Sequence, residues 1–233
     1  MSSPNALPAG PEGLANGGWI DVTRELTVGH PNWPGDTPLA LEPTARIAEG
    51  ASVNVMALHT STHTGTHLDA PYHYDDGGGR LASLPLADLM GPCVVLDAIG
   101  ASGADTPVAM EVLTAALARV APGDVPPRVL IKTGQSDTWA VFPEAFRPLS
   151  PELVAEASRL GVRLLGTDAP SVDALRSTDL PSHAACAAHG VRIVEGLALA
   201  DVAEGHYEML CLPLRLRDAD ASPVRALLRQ LVR

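Results

Sequence analysis

The sequence predicts a mixed α/β protein, with a β-rich, barrel-like core and a few covering helices. Three observations carry this. The first third reads as strand after strand, whereas the middle alternates strand with helix, a pattern that favours partly parallel pairing. Apolar residues make up 46% and charged residues 18% of 233 positions, a globular composition with room for a sizeable core. No internal repeat and no low-complexity linker interrupts residues 19–233, which are therefore expected to form a single domain behind an N-terminal tail.

That tail, residues 1–18 (MSSPNALPAGPEGLANGG), is rich in Pro, Gly, Ser and Asn. With almost nothing to bury, it is expected to be flexible or to extend over a partner subunit. Trp19 to Thr23 opens the folded part as a short alternating strand. The loop His30 to Pro38 holds three prolines and Trp33, whose indole serves either as a platform for a flat ligand or as cover for a core edge. Leu39–Ile47 and Ser52–Thr60 read as strands, the second feeding into a histidine-rich stretch. Leu81–Met90 is a short apolar segment, and Pro92–Ala98 is a buried-type strand. Met110–Val120 has helical periodicity, and Arg128–Thr133 is a second buried strand. Pro151–Leu160 is a helix with Ser150 as N-cap, proline at its first position and Gly161 at its end. Val162–Thr167 is a strand, Pro181–Ala188 a helical turn closed by Gly190, Val191–Leu197 a strand, and His206–Leu214 a last strand. Pro223–Leu231 is expected to be a closing helix capped by Ser222.

A formal charge of −11 with a single lysine, Lys132, argues against nucleic acid and anionic membrane surfaces as partners. No stretch is long or apolar enough to span a bilayer, and the N-terminus lacks the basic and apolar regions of a signal peptide. Cys93, Cys186 and Cys211 are well separated with no CxxC spacing, which fits a reducing cytoplasm rather than a disulfide framework. Cys186 lies near His183 but reads as a small buried thiol rather than a ligand or nucleophile. No GxSxG elbow is present, which removes the commonest serine hydrolase signature.

The chemistry concentrates at His63-Thr-Gly-Thr-His67-Leu-Asp69-Ala-Pro-Tyr-His73, which holds three of the eight histidines within eleven residues. Imidazole and carboxylate together suit zinc, manganese or iron(II). Glycine, threonines and proline disfavour a helix here. In an extended segment His67 and Asp69 point one way and Leu68 turns into the core. Gly65 lets the backbone bring His63 round to them, Pro71 ends the pairing, and His73 lies just beyond. Such a set suggests an open, catalytic metal site. Farther on, Glu195 interrupts an apolar strand; it is either a metal ligand, joined by His183, or a strand-end residue facing solvent.

The pattern His63-x-Gly65-Thr66-His67-x-Asp69-Ala70-Pro71-x-His73 resembles the HxGTHxDxPxH motif of the cyclase family of metal-dependent hydrolases. Within it, the chain is most similar to the bacterial kynurenine formamidases (arylformamidases), through Trp33–Pro38, Gly166–Ser171 and Tyr207 to Arg225. The resemblance spans Trp19 to Leu231. It implies the swivelling β/β/α fold, a homodimer or higher homo-oligomer with sites near the subunit interface, and two divalent metals per subunit, most often zinc, with manganese possible. His63 and His67 would hold the first metal and His183 the second, with Asp69 and Glu195 bridging. His73 would be the proton-transfer residue and Trp33 would contact an aromatic formamide. The implied reaction converts N-formyl-L-kynurenine to L-kynurenine and formate in tryptophan degradation. One departure stands out: Thr178 occupies the place of a lysine in the formamidases. The alternatives are another hydrolase of the family, such as one opening isatin, and a metal-binding protein without turnover.

Overall fold

The computed structural model of the chain describes residues 18–100, 103 and 105–231. All of the expected tail except Gly18 lies outside the described residues. The strands are β1 (Trp19–Asp21), β2 (Ala40–Ala45), β3 (Val55–His59), β4 (His67–Asp69), β5 (Met90–Asp97), β6 (Arg128–Lys132), β7 (Leu164–Thr167), β8 (Arg192–Glu195), β9 (Gly205–Pro213) and β10 (Ala221–Gln230). The helices are α1 (Leu86–Leu89), α2 (Met110–Val120), α3 (Pro151–Arg159) and α4 (Pro181–His189), with 3-10 turns at Ile47–Glu49, Pro71–His73 and Leu81–Ser83.

Seven strands pair in the order β10-β4-β8-β7-β6-β5-β9, and β9 returns to β10, so the sheet closes into a barrel. β5, β6, β7 and β8 run parallel, as the strand–helix alternation predicts, with α2, α3 and α4 as their crossovers. The remaining pairings are antiparallel. A two-residue period sorts the side chains. Leu68, Cys93, Val95, Leu130, Leu164, Val194, Met209 and Cys211 join the cluster that fills the lumen. Val94, Leu96, Val129, Ile131, Leu165 and Ile193 face outwards into a second core with Leu113, Leu117, Leu153 and Val154 of the helices.

Local signals hold at the helix ends. Ser150 Oγ accepts from Leu153 N at 3.1 Å, with Pro151 at the first helical position of α3. α4 ends at Gly190 in the left-handed region (φ 66°), where a glycine is unstrained. The three cysteines are free and buried, and burial pushes the Cys93 and Cys211 thiols up to about 12, so they are inert packing groups.

In place of the expected closing helix over Pro223–Leu231, the chain from Pro223 to Gln230 continues strand β10. Val224, Ala226 and Leu228 enter the barrel, while Arg225 and Arg229 face out. Seven residue pairs bind it to β9. Ala-Leu-Leu-Arg has helical propensity, but without this strand the barrel would stay open along two edges, and pairing overrides propensity. Ser222 is no cap: its hydroxyl donates to Pro223 O and accepts from Leu214 N.

Strands β2 and β3 form a separate two-stranded hairpin. Leu41 pairs with Leu58 and Pro43 with Met56, so one face of it is apolar. Leu58 is 62% and Met56 52% exposed. Among the described residues, no helix is long and apolar enough to cross a membrane.

Candidate metal centre

β4 is hydrogen-bonded on both edges, to β8 and to β10. Its alternation sends Leu68 into the barrel and leaves His67 and Asp69 on the outer face. The register sets His67 directly opposite Glu195, the last residue of β8. Glu195 is 3% exposed, which overturns the solvent-facing alternative for it. Just before β4 the chain turns at Gly65 (φ 65°), and Gly196 (φ 65°) packs so closely there that a Cβ on it would lie 2.5 Å from Gly65 O. This turn swings His63 back over β4. α4 brings His183 from the opposite side.

Five side chains thereby meet. Asp69 Oδ1 lies 3.2 Å from His63 Nδ1 and 3.5 Å from His67 Nε2, while Asp69 Oδ2 lies 3.6 Å from His183 Nε2. Glu195 repeats the division, with Oε2 3.3 Å from His67 Nε2 and Oε1 3.6 Å from His183 Nε2. Each carboxylate therefore spans two nitrogen groups, one made by His63 and His67 and the other by His183.

The far nitrogen of every ring is tied to an acceptor. His63 Nε2 is 3.0 Å from Asp220 Oδ2, His67 Nδ1 is 3.1 Å from Gly65 O, and His183 Nδ1 is 2.7 Å from Asp173 Oδ2. Each acceptor takes the proton of the outer nitrogen and turns the inner one towards the buried carboxylates, where a bound cation would displace any proton it carries. Asp173 and Asp220 were not legible as site residues from local spacing. Their partners lie 10 and 157 residues away.

These residues fit a divalent cation. Both Asp69 oxygens and His183 Nε2 are buried without a hydrogen-bond partner, an arrangement that is costly unless a positive charge lies between them. The atoms of His67, Asp69 and Glu195 fall within 4.8 Å of one another, as do those of His63, Asp69 and His73. The charges are strongly coupled. Burial would lower the His63 imidazole, but its hydrogen bond with Asp220 and the negative charge of Asp69 3.2 Å away raise it to about 10. His183 follows the same course through Asp173 and Asp69, also to about 10. Burial would raise Asp69, yet His183, His63 and His67 hold it well below the usual carboxylate range.

His73 sits on the 3-10 turn after β4, its ring 4.0 Å from that of His63 and 5.7 Å from that of His183. Burial lowers its pKa from the ordinary value. It borders a cleft of about 350 Å³ whose floor includes His63, His67, His183 and Glu195. Trp33 lines this cleft, 5.4 Å from Phe142 and 6.4 Å from Phe146 between ring centroids, so it both faces the cleft and covers packed aromatic rings. Trp139 and Phe142 complete the aromatic wall, and sequence reasoning missed both. The available signal was that both phenylalanines of the chain fall in one loop without regular structure. That loop is pinned. Asp168 accepts from Thr133 N, Gly134 N and Gln135 N, and the Arg24 guanidinium donates to Ser136 O while lying 3.8 Å over the Trp139 ring.

Comparison with known proteins agrees with this geometry. Residues 20–174 match the Cyclase family. A solved structure of a potential metal-dependent hydrolase with cyclase activity is 30% identical, over 90% of this chain and 96% of that one, with a TM-score of 0.74. A predicted metal-dependent hydrolase from Bacillus stearothermophilus is also 30% identical, over 90% of this chain and 97% of that one, with a TM-score of 0.73. Isatin hydrolase A from Labrenzia aggregata, solved with benzyl benzoate, shares the fold at 23% identity, over 93% and 96% of the two chains, with a TM-score of 0.76. With a family match over more than half its length and relatives at 30% identity across 90% of it, the chain belongs to the Cyclase family and has the fold of its metal-dependent hydrolases.

Proposed function

We propose that this protein is an arylformamidase, a metal-dependent amidohydrolase that cleaves N-formyl-L-kynurenine to L-kynurenine and formate in tryptophan degradation. The observation that carries the reading is the juxtaposition of the His63, His67, Asp69, His183 and Glu195 cluster with a cleft walled by Trp33, Trp139 and Phe142. His63 and His67 would hold one divalent ion and His183 the second, with Asp69 and Glu195 shared, zinc being the first choice and manganese the second. Bound there, the ions supply Lewis acidity and lower the pKa of water towards neutrality. The protein's own part is to hold the aryl group between indole and phenyl rings, with the formyl carbon over Asp69 and Glu195. His73, at the cleft edge, would deliver a proton to the arylamine nitrogen as the C–N bond breaks.

One feature bears on the substrate. Thr178 lies in the segment that brings Ser177 and Leu180 to the cleft, so this edge offers no lysine to the substrate's carboxylate. The missing lysine favours, as the second reading, an uncharged cyclic amide such as isatin. An absorbance assay for kynurenine formation from N-formyl-L-kynurenine, with and without chelator and beside isatin, decides. Chelator-sensitive turnover of the formamide is expected; turnover of isatin alone refutes the first reading. His73→Ala should keep its metal and lose about 10²–10⁴-fold in kcat, the usual range for acid–base catalysis.

We further propose a cytoplasmic homodimer. The three free, buried cysteines suit a reducing compartment. The exposed apolar face of the β2–β3 hairpin, whose ends join the Trp33 loop and the His63 turn, suits burial against a second copy beside the site.

A further inference from the structure

The connection from β9 to β10 carries Asp220 to the rim of the centre. Its main chain is fixed beside β4, where its carbonyl accepts from Ala70 N at 2.7 Å. Its Oδ1 accepts from Thr62 Oγ1 at 3.0 Å. Its Oδ2 faces two imidazoles at once, His63 Nε2 at 3.0 Å and His73 Nδ1 at 3.8 Å. The two rings are tilted by 41° with their centroids 4.0 Å apart, so one carboxylate oxygen closes a triangle with them.

We propose that Asp220 is a positioning residue that aligns His63 for the metal and His73 for proton transfer; this rests on the roles given to those two histidines above. Accepting the His63 Nε2 proton commits Nδ1, the nitrogen nearer Asp69, to the metal. The same oxygen lies beyond hydrogen-bond distance of His73 Nδ1 by less than about 1 Å. Drawing that nitrogen outwards turns His73 Nε2 towards the cleft. A ligand histidine and a proton-transfer histidine on one anchor keep their relative placement when the loops around them move. Among the described residues, the outer acceptors of His67 and His183, which are Gly65 O and Asp173, each meet a single imidazole.

The rival account is that Asp220 merely staples the Thr62 turn to the β9–β10 loop. Asp220→Ala, Asp220→Asn and Thr62→Val separate the two. Metal affinity is measured by chelator competition, geometry by the absorption spectrum of the cobalt-loaded protein, and turnover by kcat and KM on N-formyl-L-kynurenine at saturating metal. Asp220→Ala is expected to lose about 10–100-fold in metal affinity and to shift the cobalt bands, as losses of an outer partner of a metal histidine do. Its kcat should fall with KM little changed, because the aromatic wall is untouched. Asp220→Asn retains an oxygen for the His63 Nε2 proton and should recover most of the affinity. Thr62→Val should leave affinity, spectrum and kcat near the unmutated values. The proposal is overturned if Asp220→Ala keeps its affinity and cobalt spectrum, or if Thr62→Val reproduces its losses. Should Asp220→Ala fail to fold, Asp220→Asn and Thr62→Val carry the test, and equal losses in both refute it. If the loaded unmutated protein ignores the formamide, the functional reading fails while the affinity and cobalt readings still judge Asp220.

Discussion

Replacing Asp173 by alanine removes one carboxylate that performs two tasks. Helix α4 starts at Pro181 after Leu180, which has left-handed backbone (φ 44°, ψ 58°) and supplies no side-chain cap. The exposed amides of the first turn go instead to Asp173, whose Oδ1 accepts from Ser182 N at 2.9 Å and whose Oδ2 accepts from His183 N at 3.0 Å. Oδ2 also accepts from His183 Nδ1 at 2.7 Å. Losing a cap costs about 1–2 kcal/mol. Losing a buried charge-assisted hydrogen bond costs about 1.5–3 kcal/mol more. Chelator-treated Asp173→Ala should therefore be less stable by about 3–4 kcal/mol in urea unfolding, once partial repair by water is allowed for.

The second task is read separately. Without Asp173 the His183 ring is free to rotate and to carry its proton on Nε2, the nitrogen that faces Asp69 and Glu195. Metal affinity measured by chelator competition should fall about 10–100-fold. The pH dependence carries its own sign. Burial would raise the Asp173 carboxyl, but His183 and the α4 amides hold it below its ordinary value of 3.8. Its contribution is therefore full above that value and is lost as pH falls through the lowered one, so the variant should show a flatter acid limb. Unmutated stability in urea would refute the capping role. A destabilised protein with metal affinity within about twofold of the original would refute the orienting role.

Metal binding should release protons, because His63 and His183 are raised to about 10 by their carboxylate partners. Affinity should climb from pH 6.5 to 10 with about two protons displaced, measured by calorimetry in buffers of different ionisation heat; zero release refutes the coupling. Conversely, raised histidines stabilise the chelated fold fully below about pH 6.5 and lose that contribution as pH rises through 10, so its melting temperature should drop over this window. Gly196→Ala should be far worse than Gly65→Ala. At Gly196 a Cβ meets the Gly65 backbone at 2.5 Å, whereas at Gly65 its one clash is with the movable end of Leu26, so equal melting temperatures and metal contents would contradict the packing account. Met56→Asp with Leu58→Asp on the hairpin should convert a dimer to monomers in light scattering, and an unchanged mass would locate the subunit contact elsewhere.

How much of this was legible in the sequence depends on how far each signal must reach. His67, Leu68 and Asp69 sort correctly by strand alternation alone, and Gly65 announces the turn that returns His63, because both effects act within three residues. Ser150 with Pro151 marks the start of α3 for the same reason. Glu195 could not be decided locally, since a strand-end carboxylate is solvent-facing or buried according to which strand lies opposite, and that strand is β4, some 130 residues earlier in the chain. β10 was misread because its helix-forming residues are outweighed by seven pairings with β9 that no local window contains. Trp139 and Phe142 sit in an irregular loop where periodicity has nothing to report, and distant groups such as Arg24, Asp168 and Trp33 fix their place. The deepest gap concerns the histidines themselves. A motif states that a ring is present, but an imidazole has two nitrogens, and the one left to bind a metal is the one its neighbour does not take. Those neighbours are Gly65 O, Asp173 and Asp220, one within the motif and two far outside it. Ligand identity is thus a local property, whereas ligand orientation belongs to the closed barrel. It follows that substitutions at Asp173 and Asp220 should disable the centre while every residue of the histidine motif remains in place.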